Sequence, residues 1–124
     1  MAAISVVQGR GRVAAGLFVN PEDEKSFSGK EASQEAPDVE RASRAWRNDL
    51  ENIPIFLILD GIYVSAGLST TAFVVYCLIF MVMRIAHTVC YLNSIQPFRT
   101  VSFTIGAITM LVMMVHMLIK VAFA

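Results

Sequence analysis

The pattern of apolar and polar positions divides the chain into a polar N-terminal part and three long apolar stretches. The apolar stretches predict helices at about 39–68, 71–92 and 98–121. A helix rises about 1.5 Å per residue, so about 20 apolar residues are enough to cross the hydrocarbon core of a bilayer. Helices also satisfy their own backbone hydrogen bonds, as hydrocarbon requires. We therefore predict an all-α membrane protein, a helical bundle with three transmembrane helices behind a polar N-terminal segment.

Residues 1–38 are predicted to be that polar segment, on the cytosolic side, and residues 39–124 the transmembrane helical domain. Residues 1–16 are not predicted to span, because their apolar run is short and Arg10 and Arg12 interrupt it. Residues 17–38 carry eight charges together with Pro, Gly and Ser, which is typical of a surface loop. A turn is expected at Asn20–Pro21 and a helix N-cap at Asp38. The arginines next to the first span place this side in the cytosol.

Composition supports a membrane protein and gives no sign of a nucleic-acid-binding protein. The chain is 56% hydrophobic and its mean hydropathy is +0.60, while its formal net charge is zero. Fifteen of its twenty charged residues fall within residues 1–50. Cys77 and Cys90 lie in apolar helical sequence without metal-ligand spacing, so we expect reduced thiols that pack between helices. No nucleotide loop, zinc motif or Ser-His-Asp order is present.

Two polar helix faces and one further arginine are the candidate site. Residues three or four positions apart lie on one face of a helix. The predicted face on the first span consists of Arg44, Arg47, Asn48 and Glu51, and the face on the second consists of Arg84, His87 and Tyr91. The short link at 66–70 predicts antiparallel spans, so both faces and Arg99 would lie at a similar depth. We expect one cationic cavity that suits a carboxylate-bearing ligand and favours a thiolate over a thiol.

Most of these residues also have simpler interpretations. Arginines 41, 44 and 47 could bind lipid headgroups, and Arg84 could extend to the interface. Glu51 could pair with the arginine one turn before it. His87 could be a hydrogen-bonded interior histidine, and Tyr91 an aromatic of the interfacial belt. These alternatives stay open on spacing alone.

Two residues inside the apolar stretches are less easily explained. Asp60 lies in the middle of the first predicted span, where a carboxyl group is a functional candidate by default. It could equally be protonated, or hydrogen-bonded to a hydroxyl such as that of Ser65 or Thr104. His116, in the last span, has no matching polar neighbour in the sequence pattern, and we expect it to be structural.

The combined motifs resemble the MAPEG family, the membrane-associated proteins in eicosanoid and glutathione metabolism. They are NPED at 20–23, VERASRAWRNDLEN at 39–52, RIAHTVCY at 84–91, and Arg99 after a short turn. Together they cover about residue 12 to the C-terminus, and the microsomal glutathione transferase and prostaglandin E synthase branch is the most similar. Family members have four transmembrane helices, the first of them before the NPED motif. Only nineteen residues precede Asn20 here, and we expect no span among them.

The resemblance implies a homotrimer that holds glutathione between subunits near the cytosolic face of the endoplasmic reticulum membrane, with the outer mitochondrial membrane as an alternative. Arg99 resembles the arginine that stabilises the glutathione thiolate, and Asp23 resembles an acid of the synthase branch. Phe103 stands where some relatives carry a hydroxyl group. The residues that resemble glutathione-binding positions are Arg12, Arg44, Arg47, Asn48, Glu51, Arg84, His87, Tyr91 and Thr100.

Three functions are considered from the sequence. The first is a glutathione transferase that accepts apolar electrophiles from the bilayer. Peroxidase activity on lipid hydroperoxides and prostaglandin E synthesis are related reactions of the same thiolate. The second is a non-catalytic subunit that assembles with full-length partners and modulates them. The third is a small transporter subunit that uses Asp60 and Glu51 as ion sites, but the sequence contains no further carboxylate relay.

Overall fold

The computed structural model describes residues 1–123, which contain five helices and two short strands. Backbone contacts divide the chain into two compact units, Met1–Leu50 and a second unit that begins at Glu51. The elements are α1 (Ala2–Ala15), β1 (Leu17–Phe18), α2 (Pro21–Phe27), β2 (Lys30–Glu31), α3 (Pro37–Ser65), α4 (Thr70–Leu92) and α5 (Phe98–Ala122). Helix α3 starts in the first unit and ends in the second.

The segment predicted as a surface loop is more ordered than its composition suggests. Pro21 occupies the first turn of α2, and three acids follow it there, an arrangement that suits the positive end of the helix dipole. Strands β1 and β2 pair in parallel, with Leu17 opposite Lys30 and Phe18 opposite Glu31. Phe18 is 2% exposed and stacks on Phe27 at 5.6 Å between ring centroids. The prediction of a loop over the whole of 17–38 was therefore wrong.

Helix α1 ends at a glycine cap and approaches α3 closely inside the first unit. Gly16 has φ of 61° and donates its N–H to the carbonyl groups of Arg12 and Val13. At Gly11, a Cβ would lie 2.8 Å from Cγ2 of Val39, whereas a Cβ at Gly9 would meet no atom within 4 Å. The absence of a side chain at Gly11 therefore lets the two helices meet, and Val39 and Ile4 are both buried.

This contact gives a matched pair of stability predictions. Gly11→Ala is expected to lower the free energy of unfolding by about 1–3 kcal/mol, because Val39 must move to admit the methyl group. Gly9→Ala is expected to be neutral or to stabilise by up to about 1 kcal/mol, since alanine favours the helix and nothing lies in its way. Chemical unfolding of both variants in detergent would measure the difference. Equal effects would contradict the close approach of α1 to Val39.

The long helices run close to their predicted bounds, with two corrections at the ends of α3. It begins at Pro37, so Asp38 lies within its first turn and the predicted N-cap was wrong. Proline is favoured at the first helical position because its missing N–H has no partner there in any case. The helix ends at Ser65 rather than Leu68, and Gly67 follows with φ of 63°. Pro54 lies inside a helix that continues through it.

Helices α4 and α5 pack on each other in the second unit and meet the length and composition of membrane spans. Ser69 caps α4 by accepting a hydrogen bond from the N–H of Ala72 at 3.4 Å. The short turn before Arg99 spans residues 93–97 and separates the two helices, and its Gln96–Pro97 peptide is cis. Among the described residues, these two helices alone meet the criteria for a span, because α3 carries Asp49, Glu51 and Asp60. The third predicted span is therefore not shown.

The core of the second unit is aromatic and lies between α3, α4 and α5. Phe56 stacks on Phe80 with 3.8 Å between ring centroids, and Tyr63 is completely buried. Many other apolar side chains of these helices are exposed, including Ile58, Leu78 and Leu118. Such outward apolar faces suit a lipid environment or a partner subunit better than water.

Candidate functional site

The start of α5 and the last turns of α4 bring three predicted site residues together. The guanidinium carbon of Arg99 lies 4.7 Å from the centroid of the Tyr91 ring. Nδ1 of His87 lies 3.0 Å from the backbone carbonyl oxygen of Arg99, and the His87 and Tyr91 rings meet edge to face at 5.5 Å. The cluster arises because His87 and Tyr91 are one turn apart on α4, and the short turn places Arg99 beside them.

The hydrogen bond to the Arg99 carbonyl shows which ring nitrogen of the histidine donates. A carbonyl oxygen only accepts, so Nδ1 of His87 carries a proton. The hydroxyl of Ser102 donates to the same carbonyl at 3.1 Å. His87 is therefore the hydrogen-bonded interior histidine of the simpler interpretation, and it also fixes the start of α5 where Arg99 emerges. Thr100 donates to Oε1 of Gln96 at 3.1 Å, on the exposed side of the same turn.

Arg99 and Arg84 differ in how their charges are engaged. Arg84 is 6% exposed and its guanidinium carbon lies 5.8 Å from the Phe80 centroid and 5.7 Å from the Phe103 centroid. It is buried between rings and does not extend to solvent, contrary to the snorkelling alternative. Arg99 is half-buried and forms no ion pair with any carboxylate within residues 1–123. Its positive charge is thus available to an anionic ligand.

Phe103 is a site residue that sequence reasoning missed. Its ring lies 5.7 Å from the His87 ring as well as under the Arg84 guanidinium. It was noted in the sequence only as a position without the hydroxyl of some relatives. The spacing between Arg99 and Phe103, one turn of α5, is the signal that could have placed it beside Arg99.

In the first unit, Arg12 and Asp23 line the same cavity of about 340 Å³. Arg12 is in the last turn of α1 and donates to Oε1 of Glu35 from Nε at 2.8 Å and from Nη2 at 2.6 Å. This hydrogen bond, with the charges of Glu35 and Asp23, raises the pKa of Arg12 above its ordinary value, so the guanidinium stays charged at every physiological pH. Asn20 holds Asp23 by donating to Oδ2 at 3.2 Å.

Glu35 is the second residue that sequence reasoning missed. It lies twenty-three positions after Arg12, and no periodic pattern links positions so far apart. Phe18 and Phe27 form further walls of the cavity. The NPED motif therefore does more than make a turn, because it starts α2 and holds Asp23 beside Arg12.

The polar face predicted on the first turns of α3 is present. Arg44 and Arg47 are exposed and Asn48 is half-buried, while Glu51, one turn further along, is exposed. Arg44 pairs with Glu40, one turn earlier on the same helix. Arg47 forms no ion pair within the described chain, so the predicted pairing with Glu51 is not observed. The single cavity expected to join this face to Arg84, His87, Tyr91 and Arg99 stays a prediction.

His116 has polar partners that the sequence pattern did not reveal. Its Nδ1 lies 3.1 Å from the hydroxyl of Tyr76 and 3.3 Å from the hydroxyl of Tyr63. Both tyrosine rings also meet the imidazole edge to face. The cluster joins α3, α4 and α5 through one polar centre, which agrees with the structural role expected for His116.

Asp60 is bonded to a thiol and not to a hydroxyl. Sγ of Cys77 donates to Oδ1 of Asp60 at 3.7 Å, whereas the hydroxyl of Ser65 donates to the carbonyl of Gly61 in its own helix. The alternative of a hydroxyl partner such as Ser65 or Thr104 is therefore not observed, and Cys77 is more than a packing residue. Among the described residues, no group of His, Cys, Asp and Glu could hold a metal ion.

Comparison with known proteins places these motifs in one family. The model of the MAPEG family matches residues 1–119. The chain is 37% identical to prostaglandin E synthase of Homo sapiens over 107 residues, which are 86% of this chain and 70% of that protein. It is 36% identical to prostaglandin E synthase of Bos taurus, also over 107 residues. It is 36% identical to microsomal glutathione S-transferase 1 of Homo sapiens over 100 residues, which are 77% of this chain and 64% of that transferase. The chain belongs to the MAPEG family.

Proposed function

We propose that this chain is a membrane-bound glutathione transferase that stabilises the glutathione thiolate for attack on apolar electrophiles. The observation that carries the proposal is the half-buried Arg99, which lies over Tyr91 and has no carboxylate partner among residues 1–123. A positive charge in such a position favours a thiolate over a thiol. The similarity to a microsomal glutathione transferase supports the same chemistry.

The donor set fits glutathione, which supplies the thiol and two carboxylates when it is bound. Arg47 forms no ion pair in the described chain, and a guanidinium binds a carboxylate through two parallel hydrogen bonds. In our proposal Arg44, Arg47, Asn48 and Glu51 hold the peptide, with Arg12, Arg84, His87, Tyr91 and Thr100. Arg99 acts on the sulfur. His87 holds the backbone of Arg99 in place through its 3.0 Å hydrogen bond.

The catalytic gain in this proposal comes from two sources. A lowered thiol pKa raises the fraction of thiolate at neutral pH. A sulfur held in place next to the electrophile also lowers the entropy cost of bringing the two reactants together. With a halogenated substrate, a carbon–sulfur bond forms, the carbon–halogen bond breaks and halide leaves. In the peroxidase version of the proposal, the thiolate sulfur takes the terminal oxygen of a lipid hydroperoxide and the lipid alcohol leaves. A second glutathione then converts the resulting sulfenic acid to glutathione disulfide and water.

We place the protein in the endoplasmic reticulum membrane as a homotrimer, with α3 as a third span beside α4 and α5. The apolar outward faces of the three helices support contact with lipid or with another subunit. The charged first turns of α3 and the ion pairs of its arginines suit the membrane–water boundary. Glycosylation-site insertion before α4 and after α5 would report which ends face the lumen.

Conjugation of glutathione with chlorodinitrobenzene tests the enzyme proposal directly. We expect the purified chain in lipid–detergent micelles to raise the rate well above the uncatalysed reaction. Absence of any glutathione-dependent rate above background would reject the transferase proposal for this chain. The alternative is then a non-catalytic subunit that modulates catalytic members of the same family. It is tested by adding the chain to such an enzyme and measuring the change in its rate.

A second candidate is glutathione-dependent prostaglandin E synthase. It is favoured by 37% identity to the human protein of that name and by the placement of Asp23 beside Arg12 in one cavity. We expect Asp23→Asn to reduce prostaglandin E formation more than tenfold while conjugation changes less than twofold, because an acid that acts on the prostaglandin has no part in thiolate formation. Glu22→Asn, an exposed acid one position earlier, is the control. Equal losses of both activities would contradict a role for Asp23 that is specific to prostaglandin E formation.

A further inference from the structure

A separate cavity of about 290 Å³ lies between the second half of α3 and α4. Its walls are apolar and aromatic, with Phe56 and Phe80 stacked along it. Asp60 and Cys77 lie at one end, and Ile53 and Arg84 lie at the other. We call this the Asp60 cavity. It does not include His87, Tyr91 or Arg99, and it shares only Arg84 with the residues assigned to glutathione above.

The carboxyl group of Asp60 is poorly satisfied within the chain. Its hydrogen-bond donor among the described residues is the Cys77 thiol at 3.7 Å, and thiols are weak donors. A carboxylate in apolar surroundings is costly unless a cation or several hydrogen bonds compensate it. A polar acceptor at the end of an apolar cavity is the usual arrangement of a small-molecule site, in which apolar walls bind and one polar group orients.

The charge at the opposite end of the cavity is already engaged. The Arg84 guanidinium is held between the Phe80 and Phe103 rings, and the residue is 6% exposed to solvent. Rings on both sides stabilise a cation. The acceptor that the cavity offers to a ligand is therefore the carboxyl group of Asp60, and the complementary ligand head is a cation.

The size of the cavity limits the ligand. Asp60 and Ile53 are seven residues apart on α3, which corresponds to about 10 Å along the helix axis. A volume near 290 Å³ is at the lower end of small-molecule sites. A short alkyl chain with one charged end meets both limits.

We propose that the Asp60 cavity binds small cationic amphiphiles, alkylamines with the length of octylamine, with the ammonium group on Asp60. The alkyl chain lies along Phe56 and Phe80, and the ammonium replaces the weak thiol donor with a charge-assisted hydrogen bond. The ammonium group is held at the end of the cavity away from Arg84, the one lining residue that the proposed function also assigns to glutathione binding. Binding at Asp60 therefore uses no residue of the proposed glutathione chemistry.

Cys77 makes occupancy of the cavity measurable. In a Cys90→Ala background, Cys77 is the remaining cysteine of the chain, so the rate of its alkylation by N-ethylmaleimide reports access to the cavity. Octylamine is expected to slow this reaction at concentrations about tenfold below those required of octanol, since a charge-assisted hydrogen bond is about twice as strong as a neutral one. The rate is read from the intact mass of the detergent-solubilised protein.

Variants separate charge recognition from simple filling of the cavity. Asp60→Asn is expected to remove the advantage of octylamine over octanol, while Ser65→Ala, a hydroxyl that bonds only its own helix, is expected to keep it. The comparison of octylamine with octanol is also made on the protein that retains Asp60. It therefore tests the proposal even if Asp60→Asn does not fold. Equal protection by the two ligands, stronger protection by octanoate, or an unchanged preference in Asp60→Asn would each overturn the proposal.

Discussion

Replacing Arg99 by alanine is expected to reduce the rate of glutathione conjugation roughly 100-fold, comparable to removing one preorganised donor from an oxyanion site. The reason is the loss of the positive charge that would stabilise the thiolate. The Arg99 guanidinium carbon lies 4.7 Å from the Tyr91 centroid at the start of α5, and no carboxylate among residues 1–123 forms an ion pair with it. The ultraviolet absorbance of the bound thiolate and the conjugation rate would both be measured.

The affinity for glutathione separates this role from simple binding. If Arg99 acts on the sulfur, Arg99→Ala loses the thiolate signal but retains most of the affinity, because the carboxylates of glutathione are assigned to other arginines. Arg10→Ala, an exposed arginine on α1, is the matched control and should leave both measurements unchanged. Equal rates in Arg99→Ala and the parent protein would reject the role assigned to Arg99.

The pH profile gives a further check on the same residue. A charge that favours the thiolate shifts the rising limb of the rate profile to lower pH. Loss of that charge in Arg99→Ala should therefore move the limb upward, and high pH should restore part of the rate. A variant that merely misfolds would lose activity at every pH alike, so the shape of the profile distinguishes the two.

The largest loss of stability is expected from Tyr63→Ala. Tyr63 is completely buried between α3, α4 and α5, and its ring contacts Phe73, Tyr76 and His116. Truncation of a buried aromatic side chain costs about 3–5 kcal/mol, because packing is lost and a cavity remains. The free energy of unfolding in mixed micelles would measure it.

Two control variants divide that loss into packing and hydrogen bonding. Tyr63→Phe retains the ring and removes only the 3.3 Å contact with Nδ1 of His116, so it should cost about 0.5–1.5 kcal/mol. Leu118→Ala, at a side chain that is 69% exposed, should change the free energy of unfolding far less than Tyr63→Ala. A Tyr63→Ala variant as stable as Leu118→Ala would show that the aromatic cluster does not hold the three helices together.

The helices were predictable because their signals are local. Apolar runs of membrane length gave α4 and α5 nearly to the residue, and the 3.6-residue period placed His87 and Tyr91 on one face. The short turn after α4 was enough to predict Arg99 beside them. The same signals predicted a third span in α3, which the structure does not show, because acidic residues interrupt the apolar part of that helix.

The contacts between elements were not predictable, since no spacing rule relates distant helices. Glu35 reaches Arg12 across twenty-three positions, and Cys77, not a hydroxyl, meets Asp60. The two tyrosine partners of His116 lie forty and fifty-three positions away. The Phe103 ring lies over the Arg84 guanidinium because of the way that α4 and α5 pack, which no local pattern in the sequence reveals.

The sequence by itself determined which residues share a helix face, where the apolar helices lie, and which family the motifs resemble. These properties follow from local periodicity and from the composition of consecutive residues. The tertiary structure decided that Arg99 has no ion-pair partner within residues 1–123, that Arg12 and Asp23 share a cavity, and that Asp60 lies at the end of another. The physical reason is that partners and cavities are made by side chains of different elements, whose approach depends on the packing of the whole unit.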